Sequence, residues 1–269
     1  MYEPFFGLKE TPFNLTPDPR FLYFSRHHKE ALSSMLYGIE SRRGFIQITG
    51  EIGAGKTTLC RSFLRKLQDK VHTSIVFNPY FSEFELLQII IEDFGIKPAR
   101  KKKKDYLDAL SRFLIDELQK GYNAVIIIDE AQLLSPKALE QIRLLSNLET
   151  TTQKLLQIVL VGQPELKNHL ERPDLKQLKQ RIMIRYHLPA LTREEVADYL
   201  SYRLSVAGTD KNFFSQEAMD LIYQISGGVP RIINVLADRA MTAAFTQNSQ
   251  LIVPSMVGAA QADLEGAHT

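Results

Sequence analysis

The sequence predicts an α/β fold: a three-layer core built on a five-stranded parallel sheet, followed by a small helical domain. Five short β-rich segments alternate with helical patterns up to about residue 190, and only helical patterns follow. Residues 125–128 are apolar at every position, which suits a strand of a parallel sheet covered on both faces. Strands joined in this order by crossover helices form a helix–sheet–helix sandwich.

Composition places the chain among ordinary globular proteins. Of its 269 residues, 44% are hydrophobic and 24% charged, and the net charge of +2 gives no strong field for nucleic acid or membrane. The single cysteine, Cys60, excludes an intramolecular disulfide and is typical of a reducing compartment. We see no signal peptide and no apolar run that could span a bilayer, so we expect a cytoplasmic protein without a membrane span.

The elements of the core follow one another in a regular order. Residues 1–25 are rich in proline and aromatic residues, which predicts an extended strap on the domain surface. An amphipathic helix follows over residues 29–40, where apolar side chains recur at helical spacing. The predicted strands are 45–49, 74–77, 124–128, 157–161 and 183–188, and the predicted core helices are 57–67, 83–94, 106–120, 136–148 and 165–170.

The last part of the chain carries helix signals without strands. Thr192 and Glu195 have the spacing of a capping box, which predicts that a helix begins there. Pro230 suits the first turn of a later helix, and a short helix is expected after Pro254. We therefore predict two domains, 1–190 with the strap and the α/β core, and 191–269 with helices only.

The most specific motif is GEIGAGKT at residues 50–57, which fits G-x-x-x-x-G-K-[ST] between a β-rich segment and a helical pattern. Its glycines let backbone N–H groups face phosphate oxygens, and the helix adds its positive end. An ordinary glycine-rich turn would not require this whole pattern. We expect Lys56 to reach the β- and γ-phosphates of ATP and Thr57 to ligate Mg²⁺. The predicted nucleotide-binding residues here are Gly50, Glu51, Ile52, Gly53, Ala54, Gly55, Lys56, Thr57 and Thr58.

A second motif ends the apolar strand at residues 125–128 with two carboxylates, Asp129 and Glu130. This is the Walker B pattern, in which the aspartate holds Mg²⁺ and the glutamate polarises the attacking water. The same two residues could simply begin a loop before the helix that starts near Ser135. The P-loop, residues 50–57, favours the catalytic interpretation. We assign Asp129 to metal and nucleotide binding, and Glu130 and Lys56 to catalysis.

Five further residues are candidates with open alternatives. Gln163 follows the fourth strand, where a polar side chain can contact the γ-phosphate or orient water, unless it is only a turn residue. Arg181 lies near the last strand and could stabilise transition-state charge, in its own chain or in a neighbouring subunit. Arg172 and Arg185 flank the same strand, and all three could be surface arginines. Arg231 begins a helix and faces either ATP or solvent.

A basic run at residues 100–104 leaves two interpretations open. Five consecutive cationic residues could bind a nucleic-acid backbone or an acidic lipid surface, or they could form a solvated loop. No plausible third metal ligand accompanies His27 and His28, so no such metal site is predicted.

The order of these motifs resembles that of an AAA+ ATPase, and more narrowly the ATPase module of the general secretion pathway protein A (ExeA-type) family. The strap is the part most specific to this family. Longer members carry a transmembrane helix and a peptidoglycan-binding region after the ATPase, and this sequence shows neither, so wall binding is not implied. The matching stretches are 2–4, 6–8, 12–13, 17–19, 21–25, 31–39, 44–60, 128–132, 160–166, 178–188 and 227–234.

The resemblance implies a P-loop AAA+ core with a helical lid and an Mg²⁺-dependent ATPase. It places Gln163 at the sensor-1 position, where AAA+ proteins more often carry Asn, Ser or Thr. Arg181 matches the arginine finger that acts in trans, and Arg231 matches sensor 2, which contacts the γ-phosphate. It also implies a homo-oligomer, a dimer or a ring, that serves secretion-system or type IV pilus assembly with protein partners. A related class targets transposition and forms ATP-dependent filaments on DNA, which is the alternative function.

Overall fold

The computed structural model describes residues 1–16, 18–67, 69–77, 79–100, 102–264 and 266. Pro17 of the predicted strap and Lys101 of the basic run therefore lie outside the described residues. The predicted α/β fold is confirmed: five strands form one sheet and every recorded pairing is parallel. The strands are β1 (Phe45–Gly50), β2 (Val71–Val76), β3 (Asn123–Ile128), β4 (Gln157–Gly162) and β5 (Ile182–Leu188).

The strand order is β2-β3-β4-β1-β5, so the first strand lies between the fourth and the fifth. Pairing of Thr49 with Gly162 and of Ile128 with Leu160 brings the carboxyl ends of β1, β3 and β4 to one edge of the sheet. In open α/β sheets, ligands bind outside this edge. The segments that follow these three strands carry the P-loop, the two Walker B carboxylates and Gln163.

Helices connect the strands close to the predicted positions. The helix Glu83–Asp93 begins at a capping box in which the Ser82 hydroxyl accepts from the Glu85 backbone and the Glu85 carboxylate accepts from the Ser82 backbone. Within the described residues the helices are α1 (Glu3–Phe6), α2 (Arg26–Glu40), α3 (Lys56–Lys66), α4 (Glu83–Asp93), α5 (Lys103–Gln119), α6 (Pro136–Leu145), α7 (Glu165–Leu170), α8 (Lys176–Arg181), α9 (Arg193–Val206), α10 (Gln216–Ser226), α11 (Pro230–Thr246) and α12 (Pro254–Leu264). None of the helices in these ranges is both long and apolar enough to cross a bilayer.

Contacts divide the chain into two compact units. The first contains Met1–His27, Glu51–Leu59 and Pro189–Thr269, and the second contains His28–Gly50 and Cys60–Leu188. This division differs from a split at residue 190, because aromatic side chains of the strap pack on the helices of the last part of the chain. The ring of Phe6, for example, lies 4.8 Å from that of Phe213 in an edge-on contact.

The second unit holds its core on the sheet. Buried side chains of β3 and β4 pack with α4, α5 and α6, including Ile126, Leu86 and Ile142. On α2, Gly38 comes so close to β1 that an added Cβ would lie 2.5 Å from the Ile46 side chain. The absence of a side chain at this position is what permits the close approach.

The sequence predicted an extended strap, but the strap in the first unit is not extended throughout. Glu3–Phe6 form the helical turn α1, because Pro4 lies at the start of the helix, where a missing N–H costs nothing. Tyr2 donates a hydrogen bond to Asp238 on α11. Burial, together with this bond to a carboxylate, raises the pKa of Tyr2 far above its usual value, so the phenol remains a donor at any physiological pH.

Candidate nucleotide site

The P-loop turn lies between β1 and α3. Gly53 and Gly55 have φ values of +81° and +92°, a left-handed conformation that residues with a side chain rarely adopt. The turn is closed by the Ala54 N–H, which donates to the Glu51 carbonyl at 3.1 Å. The sequence therefore places glycine where this turn requires left-handed backbone.

Lys56 is the first residue of α3 and is only 6% exposed. Its ammonium group donates to the Glu51 carbonyl at 2.9 Å, which holds the side chain back against the turn. A buried ammonium needs acceptors, and the start of a helix carries partial positive charge that attracts anions. Thr57 and Thr58 follow in the first turn of α3, and both are half-buried. This combination can bind the phosphate groups of a nucleotide.

Arg231 lies directly beside the P-loop. Its backbone N–H donates to the Gly53 carbonyl at 3.3 Å, and its side chain is exposed. An added Cβ on Gly53 would lie 2.5 Å from Cβ of Arg231 and 3.3 Å from the Val229 side chain. The structure thus brings the predicted sensor-2 arginine to the turn, and glycine at position 53 is needed for this approach as well as for its own φ.

The Walker B carboxylates follow β3 directly. Asp129 is 3% exposed, and its backbone N–H donates to the Val76 carbonyl at the end of β2. Its carboxylate accepts from the Glu130 N–H at 3.0 Å. Glu130 has a φ of +53°, so the chain turns sharply here into a single 3₁₀ turn, Ala131–Leu133. Left-handed backbone in a non-glycine residue costs about 1 kcal/mol and occurs preferentially at functional sites.

Gln163 and Glu130 are joined by a third residue, Gln132, which the sequence did not single out. The Gln132 amide donates from Nε2 to Glu130 Oε2 at 2.6 Å and accepts from the Gln163 N–H at 3.0 Å. Gln163 Nε2 also donates to Glu130 Oε2, at 3.3 Å. In the sequence, Gln132 appears only as the last residue of the stretch 128–132 that resembles the family, and no period of helix or strand distinguishes it.

The three arginines near β5 have different surroundings. Arg181 ends α8, and its guanidinium donates to the Ser146 hydroxyl at 2.7 Å. Arg172 pairs with Asp174 at 3.0 Å, and Arg185 donates to the Lys179 carbonyl at 2.6 Å. No bond from Arg181 to Glu130 or Gln163 is recorded within the described residues. The role of Arg181, in its own chain or in a neighbouring subunit, stays a prediction.

The described residues contain no cluster of metal-ligating side chains, and the described part of the basic run at residues 100–104 is exposed. Among the described residues, no group of three or more His, Cys, Asp or Glu could hold a metal ion. Mg²⁺ in nucleotide sites uses one or two protein ligands together with phosphate oxygens, so a cluster of three protein ligands is not required for it. Arg100, Lys102, Lys103 and Lys104 are exposed, and the latter two begin α5.

The chain matches the family model of an AAA domain over residues 39–170. Over 268 residues, which are 99% of this chain, it is 43% identical to general secretion pathway protein A of Aeromonas hydrophila. It spans 49% of the length of that relative. The match extends over the strap and the lid as well as the core.

Solved structures of other proteins share the fold. The chain is similar to the ORC2 protein of Aeropyrum pernix, with a TM-score of 0.71 and 20% identity over 97% of this chain and 73% of that one. Cdc6p from Pyrobaculum aerophilum gives a TM-score of 0.69 and 17% identity over 94% and 70% of the two chains. The RuvB motor of Thermotoga maritima gives 0.58 and 17% over 86% and 67%.

Proposed function

We propose that this chain, an AAA+ module of the type found in general secretion pathway protein A, binds Mg-ATP at residues 50–57 and hydrolyses it. The observation that supports this most directly is Lys56, an almost buried ammonium group at the start of a helix that follows a turn with two left-handed glycines. Such a turn presents backbone donors and a cation to phosphate oxygens.

Each P-loop residue has a role in this proposal. Lys56 neutralises charge on the β- and γ-phosphates, and its bond to the Glu51 carbonyl keeps it near the turn until nucleotide arrives. The Thr57 hydroxyl and the Asp129 carboxylate would hold Mg²⁺, with Asp129 acting through the water shell of the ion. The ion would supply charge stabilisation on the phosphate oxygens.

Glu130 is the general base in this proposal. A carboxylate that accepts the proton of the attacking water must be held in a fixed direction, and Glu130 Oε2 accepts two amide hydrogen bonds. One of these comes from Gln163, which can therefore orient Glu130 as well as water. Arg231, in contact with the P-loop through its backbone, would contact the γ-phosphate through its exposed guanidinium.

The chain would act as an oligomer, a dimer or a ring, in which Arg181 of one copy completes the site of the next. An arginine that stabilises transition-state charge is worth several orders of magnitude in rate. Arg181 is bonded to Ser146 rather than to Glu130 or Gln163, which suits a role outside its own chain. ATP binding would order the oligomer, and hydrolysis would release it.

The setting we propose is secretion-system or type IV pilus assembly, with protein components of that machine as partners. The support is the 43% identity to a general secretion pathway protein over nearly the whole chain. That relative favours this setting over DNA targeting. The predicted cytoplasmic location belongs to the same proposal, and a single, buried cysteine, Cys60, suits a reducing compartment.

Replacement of the base tests the proposal. Glu130→Gln keeps the shape of the side chain and removes its ability to take a proton. We expect ATP affinity within about twofold of wild type and turnover reduced by roughly 100-fold or more, measured as phosphate release and nucleotide binding. A Glu130→Gln variant that turns over like wild type would show that another group is the base.

A further inference from the structure

Both polar atoms of the Gln132 side-chain amide form hydrogen bonds. Its Oε1 accepts from the backbone N–H of Gln163, and its Nε2 donates to Oε2 of Glu130. Because a backbone N–H can only donate, the orientation of the Gln132 amide is fixed, and its NH₂ group must face the carboxylate. Both amide donors near Glu130 converge on Oε2, and Oε1 accepts no hydrogen bond from the described residues.

The backbone is shaped to permit this arrangement. Glu130 adopts a left-handed φ of +53°, and the 3₁₀ turn Ala131–Leu133 then carries Gln132 toward the end of β4. The Gln132 amide lies against Gly162, where an added Cβ would be only 2.6 Å from Oε1. Gly162 itself has ordinary strand backbone, so its missing side chain matters for space.

We propose that Gln132 is a positioning residue: it holds one oxygen of Glu130 so that the other is directed at the attacking water. This inference rests on the proposed role of Glu130 as general base. A hydrogen bond to an ionised carboxylate is shorter and stronger than one between neutral groups. The distance from Gln132 Nε2 to Glu130 Oε2 is 2.6 Å. Fixing the base in this way raises the rate without adding a contact to the nucleotide.

A purely structural role for Gln132 is the competing explanation. In that case its important bond is the one from the Gln163 N–H, which ties the turn after β3 to the end of β4. The two roles use different atoms of the amide, Nε2 for Glu130 and Oε1 for Gln163. A substitution that removes the donor to Glu130 but keeps an acceptor for the Gln163 N–H therefore separates them.

Gln132→Glu is that substitution. It keeps the size of the side chain and an acceptor for the Gln163 N–H, but it replaces the donor to Glu130 by a second negative charge. We expect kcat to fall roughly 10- to 100-fold, the loss typical of a misplaced reacting group, with the Kd for ATP within about twofold and the unfolding midpoint close to wild type. Gln132→Ala should lower kcat as well, since it also lacks the donor.

Gln88→Glu is the matched control. Gln88 lies on α4 in the second unit and is also half-buried. Its amide donates to the hydroxyl of Tyr106 on α5 at 3.3 Å. The same loss of a donor should leave kcat unchanged there. Gly162→Ala is an independent variant, because its added Cβ should displace the Gln132 amide. We expect it to lower kcat as Gln132→Ala does and to retain ATP binding.

The outcomes separate the two proposals. If Glu130→Gln is inactive while Gln132→Glu retains the kcat of wild type, Glu130 remains the base and Gln132 does not position it. The inference also fails if Gln132→Glu and Gln132→Ala lose turnover only in proportion to lost folded protein or lost ATP binding. If Glu130→Gln itself turns over normally, the proposed base is wrong and the inference falls with it.

Discussion

At the scale of single residues, left-handed backbone occurs both in the P-loop, residues 50–57, and at Glu130 of the Walker B pair. Gly53 has a φ of +81°, which glycine adopts freely, and Glu130 has a φ of +53°, which costs a residue with a side chain about 1 kcal/mol. Gly53 is additionally required by the close approach of Arg231. Strain of the kind seen at Glu130 persists only where the surroundings fix it, here by the bonds from Gln132 and to Asp129.

Gly53→Ala tests the crowding at the P-loop. The added Cβ would need to move away from Cβ of Arg231, 2.5 Å distant, so the turn and the start of α11 must shift. We expect the Kd for Mg-ATP to rise at least about tenfold, or about 1.4 kcal/mol of binding free energy, measured by titration calorimetry.

Gly121→Ala is the control for backbone strain alone. Gly121 has the same φ of +81°, but an added Cβ would meet no atom within 4 Å. It should cost about 1 kcal/mol of stability and leave the Kd for ATP unchanged. If the two alanine variants bind ATP equally well, the contact between Gly53 and Arg231 does not shape the site.

Sequence patterns could predict the residues of the site whose roles follow from local motifs. The GEIGAGKT turn and the Asp129–Glu130 pair have fixed spacings next to a strand, and the structure places them at strand ends as expected. Gln132 could not be predicted, because its importance depends on a bond to Gln163, 31 positions further along the chain. The bond between Arg181 and Ser146 likewise joins distant positions and leaves no mark in the local pattern.

At the scale of elements, one arginine of α9, Arg203, holds the strap, residues 1–25, by hydrogen bonds. Arg203 is 7% exposed and donates to the carbonyls of Pro12 and Asn14 and to the Tyr199 hydroxyl. Its guanidinium also lies over the ring of Phe21, 4.9 Å from the centroid. These contacts hold the strap against α9.

Arg203→Met should therefore destabilise the first unit. Methionine keeps much of the apolar stem but leaves two strap carbonyls without their donors. We expect the free energy of unfolding to fall by about 2–3 kcal/mol in urea denaturation.

Arg193→Met provides the comparison on the same helix. Arg193 pairs with Asp220 at 2.7 Å, but its side chain is exposed, and such pairs contribute about 0–1 kcal/mol. Equal losses for the two variants would contradict the account of the strap.

Element prediction succeeded where patterns were long and failed where they were short. The five strands and the long helices were predicted because apolar runs and helical spacing extend over many residues. α8 was missed, since its six residues, KQLKQR, bury only Leu178 and show no helical period. α1 was missed for the same reason, and the burial of the strap could not be predicted because its aromatic partners, such as Phe213, lie far along the chain.

At the scale of the whole molecule, the chain order of strands does not reveal the sheet order. β1 is inserted between β4 and β5, an arrangement set by how crossover helices pack, which no local pattern records. The grouping of the strap with the last helices is a similar long-range result. In the function that we propose, turnover depends on assembly, and a variant of Arg181 tests this dependence.

Arg181→Ala tests assembly. We expect the specific ATPase activity of wild type to rise with protein concentration, and Arg181→Ala to lose roughly 1,000-fold in turnover while it still binds ATP. Arg185→Ala, a nearby exposed arginine bonded only to a backbone carbonyl among the described residues, is the control and should remain active.

Mixing two inactive variants decides whether Arg181 acts in trans. Glu130→Gln supplies an intact Arg181, and Arg181→Ala supplies an intact Glu130, so a mixed oligomer contains some complete sites. Partial recovery of turnover on mixing is the expected result. No recovery, together with flat specific activity over a wide concentration range, would show that Arg181 acts within its own chain or not at all.

The most direct test of the central claim is calorimetric titration of Mg-ATP into wild type and Lys56→Ala. The account predicts magnesium-dependent binding of one nucleotide per chain by wild type. It predicts no measurable binding by Lys56→Ala, whose unfolding midpoint should stay close to that of wild type. Folded wild-type protein that takes up no ATP, or a Lys56→Ala variant that binds as tightly as wild type, would contradict it.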